Sequence, residues 1–330
     1  MKKPVLCFLG LGLLGLLGLS LLVNFLLLAA GGSRARARGE TAAFHAVHHS
    51  GQPGGGQVAI IDLQGLISYG APGTGRRNMV DEFLAKLKQA GDTDAIHAVL
   101  LRVNSPGGEV TASDVIYRAV KKLDRQKPVV AYIQTVGASG AYYSALGARH
   151  LMANELSLTA SIGVIMQTMN FQGLADKVGV QSLTFKSGKM KDLLNPFRPA
   201  TDEEQAYVQA LIDETYGKFV GIVAAERQLD EEQLRAGVAD GRVVSGKTAA
   251  REHLIDATGY LEDAIAKARE LAGLPDHAEV VELQAPFSLA QLFRILGHAP
   301  IDKIELHLGP RGAELQAGQL YYLTEMNLAR

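Results

Sequence analysis

Three short apolar runs, VAIIDL (58–63), IHAVLLRV (96–103) and VVAYIQ (129–134), set the terms on which this chain can fold. Each is short, rich in β-branched residues and bounded by turn formers, so each reads as a strand covered on both faces. Between them, MVDEFLAKLKQA (79–90) and SDVIYRAVKKLDR (113–125) repeat apolar residues at three- and four-residue spacing. The second gathers Lys and Arg at its end, where the helix dipole favours cations. The order β, α, β, α, β predicts a largely parallel sheet with crossover helices. HLMAN, SIGVIMQTMNF and QSLTF are expected as further strands, followed by a long helix from Thr201 to Arg227. In such a sheet ligands bind beyond the carboxyl ends of the strands, and two glycine-rich segments fall there.

The first, RVNSPGGEV (102–110), follows the second strand. Pro106 fixes one turn torsion, and Gly107 and Gly108 let backbone N–H groups approach a substrate with no β-carbon in the way. The second, TVGASGAYY (135–143), places Ser139 between a strand and a helix running through Tyr142 and Tyr143. A serine there gains from the helix N-terminus, and the N–H of Gly140 supplies a second oxyanion donor beside that of Gly108. Taken singly, both strings are also ordinary turn or packing sequences; their pairing at neighbouring strand ends points to catalysis. A serine nucleophile needs a base. The chain has no Ser/His/Asp spacing, but SGKMKD (187–192) offers Lys189 and Lys191, with Lys186 just before. A free lysine titrates near 10.4, so at pH 8 only about 0.4% is neutral, and burial in an apolar pocket is the lever that lowers this value.

From Pro4 to Ser33 no residue is charged. As a helix this stretch reaches about 45 Å, more than the ~30 Å of a bilayer's hydrocarbon, which predicts a transmembrane anchor at 1–32 rather than a shorter cleavable leader. Lys2 and Lys3 precede the span and Arg34, Arg36 and Arg38 follow it, so flanking charge does not choose its orientation. Residues 33–56, rich in Gly, Arg, His and Ser, are expected as a flexible linker. His45, His48 and His49 within it lack the carboxylate or cysteine company of a metal site, and no metal is expected. The formal charge of −1 argues against nucleic acid as a partner, and one cysteine, Cys7, excludes an intramolecular disulfide.

In order and spacing, RVNSPGG, GASGAYY, LTASIGVI, SGKMKDLLNPFRPATDEEQ and DGRVVSGKTAAREHLIDATG resemble the signal peptide peptidase A family, peptidase family S49, in its short form. The resemblance covers roughly residues 57–275, the expected protease domain. It implies a Clp/crotonase-like α/β parallel-sheet domain built of β-β-α units, preceded by one transmembrane helix. It further implies a Ser/Lys dyad of Ser139 as nucleophile and Lys191 as general base, with Ser161 orienting the base. The family usually has Gly where Ala160 stands. No cofactor is implied. The implied substrates are apolar peptides such as signal-peptide remnants, and the implied setting is the bacterial inner membrane with the catalytic domain on the extracytoplasmic side. A ring-like homo-oligomer in which serine and lysine come from neighbouring subunits is also implied.

Residues 276–330 are expected as a C-terminal extension, with an amphipathic helix at SLAQLFRILG (288–297) and a strand or extended tail at GQLYYLTEMNLAR. Two other readings share the fold class: a crotonase-like acyl-CoA enzyme, which would not need both Ser139 and Lys191, and a catalytically silent membrane scaffold.

Overall fold

The computed structural model describes residues 20, 44–70, 78–284 and, as backbone alone, 321–323. The chain divides into Met1–Phe44 and His45–Arg330, and the fold is that of the second unit. The expected anchor at 1–32 lies outside the described residues except for Ser20; among the described residues no helix is long and apolar enough to cross a membrane.

The three apolar runs are the centre of one sheet. Strands β1 (His45–Ser50), β2 (Gln52–Gln64), β3 (Ile96–Ser105), β5 (Val129–Ala138), β6 (His150–Ala153), β9 (Ala257–Thr258) and β10 (Ala278–Gln284) lie in the order β1-β10-β2-β3-β5-β6-β9. All neighbours run parallel except β1 with β10. Two expectations are corrected here. Residues 45–56, read as linker, form β1 and the start of β2, and residues 278–284, read as extension, pair with β2 inside the sheet.

Helices α1 (Met79–Asp92) and α2 (Val110–Asp124) make the crossovers. Asn78 caps α1 by accepting a hydrogen bond from the Asp81 N–H at 2.8 Å, and Lys121 and Lys122 close α2. Period-two alternation sends Val58 and Ile60 to one face of β2 and Ala59 and Ile61 to the other, and all four are buried. The first face, with Leu100, Val130 and Tyr132, packs on Ala264, Ile265 and Ala268 of α8 (Leu261–Leu271). Burial on both faces is why these strands read as unbroken apolar runs.

At the carboxyl ends of β3 and β5 the chain builds two further features. The first is β4 (Gly107–Glu109), which with β3 and α2 forms a β-β-α unit and takes β11 (Tyr321–Leu323) as an antiparallel partner. The second is a fork in β5. Its first half, Val130–Ile133, pairs β6, and its last residues, Val136–Ala138, pair β7 (Leu158–Ala160). β7 is itself paired antiparallel with β8 (Val243–Ser245). After the fork come α3 (Gly140–Ala145), α4 (Gln172–Val178), α5 (Asp202–Arg227), α6 (Glu231–Ala236) and α7 (Gly246–Arg251).

SIGVIMQTMNF and QSLTF do not form the expected strands. Ile165 makes one bridge, α4 lies between the two strings, and the rest is irregular chain. Ile162 is buried, but farther along this segment the apolar side chains face outward: Met169, Leu174, Val178 and Val180 are exposed, Leu183 is 80% and Phe185 95% exposed. From 164 to 200, Ala175 is the one buried residue.

Candidate active site

Ser139 stands on the turn from β5 into α3 with φ +54° and ψ −119°, a region costing a non-glycine residue about 1–3 kcal/mol. The surrounding structure enforces it. The Ser139 N–H donates to the Ala160 carbonyl at 2.7 Å, and its own carbonyl accepts from the Tyr143 N–H at 2.9 Å. Two buried tyrosines anchor α3 from below: the Tyr142 hydroxyl donates to the Leu254 carbonyl at 2.8 Å and that of Tyr143 to Asp114 at 2.8 Å. Desolvation raises the Tyr142 hydroxyl well above the ordinary range for a phenol. Tyr143 also meets Tyr117 and Phe219 edge-on, with ring centroids at 5.5 and 5.0 Å. At six residues α3 is short, so main-chain bonds and packing hold the elbow more than any dipole does.

The Ser139 hydroxyl is fully buried and, among the described residues, has no hydrogen-bond partner. A buried hydroxyl left unmatched normally costs about 1–3 kcal/mol and calls for an explanation.

Ser161 comes to the same place from β7. Ala138 pairs with Ala160 across the fork, so the residues after them, Ser139 and Ser161, leave adjacent strand ends. Ala160 and Ser161 both have left-handed backbones, φ +62° and +51°. The Ser161 N–H donates to the Arg242 carbonyl at 3.0 Å and its hydroxyl to the Gly241 carbonyl at 3.1 Å. With its proton so committed, the Ser161 oxygen retains lone pairs to accept from an amine.

Opposite lies the SPGG turn, placed by the pairing of Ser105 with Gly137. The Glu109 N–H donates to the Ile67 carbonyl and the Ile67 N–H to the Gly107 carbonyl, each at 2.8 Å. Strand alternation then turns the N–H of Gly108 to the other edge, where β11 pairs. A β-carbon on Gly108 would overlap the Ile67 backbone, so this close approach requires glycine. Gly140, the first residue of α3, supplies an N–H of the kind that helix starts leave free.

The structure thus draws Ser139, Ser161 and the SPGG turn to one end of the sheet. Lys191 is elsewhere in character: exposed, on a turn after residue 188 whose backbone closes through its N–H to the Gly188 carbonyl at 3.1 Å. Its neighbours are occupied, Lys186 with Asp192 and Lys189 with Glu203, whereas among the described residues Lys191 has no carboxylate within ion-pair distance. Sequence reasoning missed what fixes this turn. Arg198 chelates Asp192, with Nε and Nη2 each 2.9 Å from a carboxylate oxygen, and also bonds Glu204. These bonds, with those from Lys186 and the Thr201 N–H, hold both carboxyls well below the usual carboxylate range, and the two carboxylates push the Arg198 guanidinium up. The T-x-x-E spacing of Thr201 and Glu204, a capping box in the structure, was the available signal.

A strained serine between a strand and a helix, facing a glycine turn at the end of a mostly parallel sheet, defines a serine hydrolase on a Clp/crotonase-like fold. The match to known proteins is narrower. Residues 121–275 fit the model of peptidase family S49. A presumed protease of Synechocystis sp. is 41% identical over 236 residues, 71% of this chain and 82% of that protein. A presumed protease of Methanocaldococcus jannaschii is 44% identical over 57% of this chain and 60% of its own length. A presumed signal peptide peptidase SppA of Enterococcus faecium is 37% identical over 68% of this chain, and this chain spans 66% of it. The chain belongs to peptidase family S49, a class of serine endopeptidases.

Proposed function

We propose that this chain is a membrane-anchored serine endopeptidase working through a Ser139/Lys191 dyad on apolar peptides such as signal-peptide remnants, with the two residues supplied by neighbouring subunits. The observation that carries the reading is Ser139: its backbone is strained, and its hydroxyl is buried near Ser161 with no hydrogen-bond partner among the described residues. Lys191 lies exposed and uncommitted on a segment whose apolar residues face outward, which suits a surface covered by a second copy. Docking there would bury the lysine and favour its neutral form.

The peptide takes the place of β11 on the edge of β4, pairing as an antiparallel strand in the same mode. Lys191 takes the Ser139 proton as the serine oxygen bonds to the scissile carbonyl carbon. The carbonyl electron pair moves to oxygen, where the N–H groups of Gly108 and Gly140 stabilise it. Collapse breaks the C–N bond, and the lysine proton leaves with the amine. Water, deprotonated by the same lysine, then releases the acyl group and restores Ser139. Residues 1–32 supply the anchor, placing the site where apolar peptides leave the bilayer on the extracytoplasmic side.

Mixing tests the arrangement. Ser139→Ala and Lys191→Ala chains are each inactive on a fluorogenic peptide, and co-assembled chains regain a fraction of wild-type turnover, since some interfaces then pair an intact serine with an intact lysine. No recovery at any mixing ratio would place the dyad within one chain. Substantial activity in either single variant would remove that residue from the chemistry.

A further inference from the structure

The base sits beside an acid. Asp192 follows Lys191 directly, and a free carboxylate there would stabilise the ammonium and suppress the neutral amine that must act as base. The structure removes this difficulty with one side chain. Arg198 places Nε at 2.9 Å from one Asp192 oxygen and Nη2 at 2.9 Å from the other, while Nη2 also donates to the Asp192 carbonyl at 3.2 Å. The far side of the same guanidinium reaches the first turn of α5, where Nη1 lies 2.8 Å from Glu204 Oε2 and Nη2 bonds Oε1. Glu204 is itself fixed: its side chain is 4% exposed, it accepts from the Thr201 N–H at 2.9 Å, and its own N–H donates to the Thr201 hydroxyl at 3.2 Å. Lys186 is the second cation on Asp192.

We propose that Arg198 is the positioning residue of the general base, a role that rests on reading Lys191 as that base. It acts in two ways. The guanidinium fork ties the residue after Lys191 to the start of a 26-residue helix, so the turn carrying the lysine is held rigidly although it has almost no buried contacts. It also neutralises the nearest carboxylate. The charged groups around the turn are Lys186, Lys189, Asp192 and Arg198 from the segment itself and Glu203 and Glu204 from α5. Lys186 and Arg198 balance Asp192 and Glu204, and Lys189 balances Glu203, so Lys191 stands outside a set whose charges cancel. A lysine in place of Arg198 would conserve the charge, but a single ammonium cannot chelate Asp192 and reach both Glu204 oxygens together.

The test measures kcat and KM of the full chain on a fluorogenic peptide across the alkaline and neutral range, for Arg198→Lys, Arg198→Gln, Arg198→Gln with Asp192→Asn, and Lys191→Ala. Arg198→Lys lowers kcat by about tenfold or more with KM within about twofold and the acidic limb of the pH profile in place, the mark of a misplaced base. Arg198→Gln lowers kcat similarly and moves the acidic limb to higher pH by about half a unit, because Asp192 then has Lys186 alone and draws on the ammonium of Lys191. Adding Asp192→Asn returns the limb towards the wild-type position while kcat stays low. A purely structural role would lower the melting temperature and leave the limb unmoved. Wild-type kcat in Arg198→Lys, or a limb in Arg198→Gln that neither moves nor answers to Asp192→Asn, overturns the proposal while the dyad stands. Activity surviving in Lys191→Ala overturns the dyad and this role together.

Discussion

Around Ser139 the backbone is fixed by main-chain bonds to Ala160 and Tyr143, two buried tyrosines lie beneath, and the residue has no exposure. Around Lys191 the backbone is irregular, nearly every side chain meets solvent, and the shape is held by a guanidinium between two carboxylates. Ser139 is therefore a product of the core, formed whenever the sheet forms. Lys191 is a product of surface chemistry, and in the proposed dyad a neighbouring subunit completes its surroundings. The difference teaches where each half is vulnerable: packing changes threaten the serine, while charge changes and loss of a neighbour threaten the lysine.

The largest effect separates activity from stability. Ser139→Ala and Lys191→Ala each lower kcat/KM by about 10⁴-fold or more, yet neither lowers the melting temperature appreciably, because one removes an unsatisfied buried hydroxyl and the other an exposed ammonium. Marked destabilisation by Lys191→Ala would mean that the lysine half is also built by the core. Next, Gly108→Ala attacks the rigid half. The new methyl meets the Ile67 backbone, so thermal denaturation shows a loss of about 1–3 kcal/mol and turnover falls about 10²-fold or more as the oxyanion donor is displaced. Unchanged turnover would remove Gly108 from the oxyanion site. The smallest effect concerns the outward half: Phe185→Asp leaves the melting of the chain within about 0.5 kcal/mol, since the ring is exposed, but shifts assembly measured by sedimentation toward smaller species. Activity of this variant falls about tenfold at low protein concentration and recovers on concentrating, by mass action. Unaltered sedimentation would show that this ring is not part of a subunit contact.

The same contrast explains what was legible in the sequence. β2, β3 and β5 were readable because strands buried on both faces leave an uninterrupted apolar signature, and Ser139 was readable because small residues after such a strand mark a sharp turn. β10 was not, because it enters the sheet by pairing with β2, more than 200 positions earlier, and local pattern carries no trace of such a partner. The first part of β2 was hidden by glycines: Gly54, Gly55 and Gly56 all have positive φ and fall where the pairing with β10 skips from Gln52 to Gln57. SIGVIMQTMNF misled in the opposite sense. Its apolar residues promised a buried strand, but hydrophobicity reports that a side chain avoids water somewhere, not that it does so inside its own chain. Lys191 was singled out by motif. The reason for its isolation among lysines, the pairing of Lys186 and Lys189 with carboxylates, became visible in three dimensions.

The fork in β5 has a mechanical consequence. Gly241 and Arg242, about a hundred residues beyond Ser139 in the chain, hold Ser161 through two carbonyl oxygens, and Ala160, next along, holds the Ser139 N–H. The path from that segment before β8 to Ser139 is a few backbone bonds long and contains no flexible side chain except the serines themselves. The segment leading into β8 is therefore tied to the elbow by backbone alone, and the position of Gly241 and Arg242 sets that of Ser161 beside Ser139.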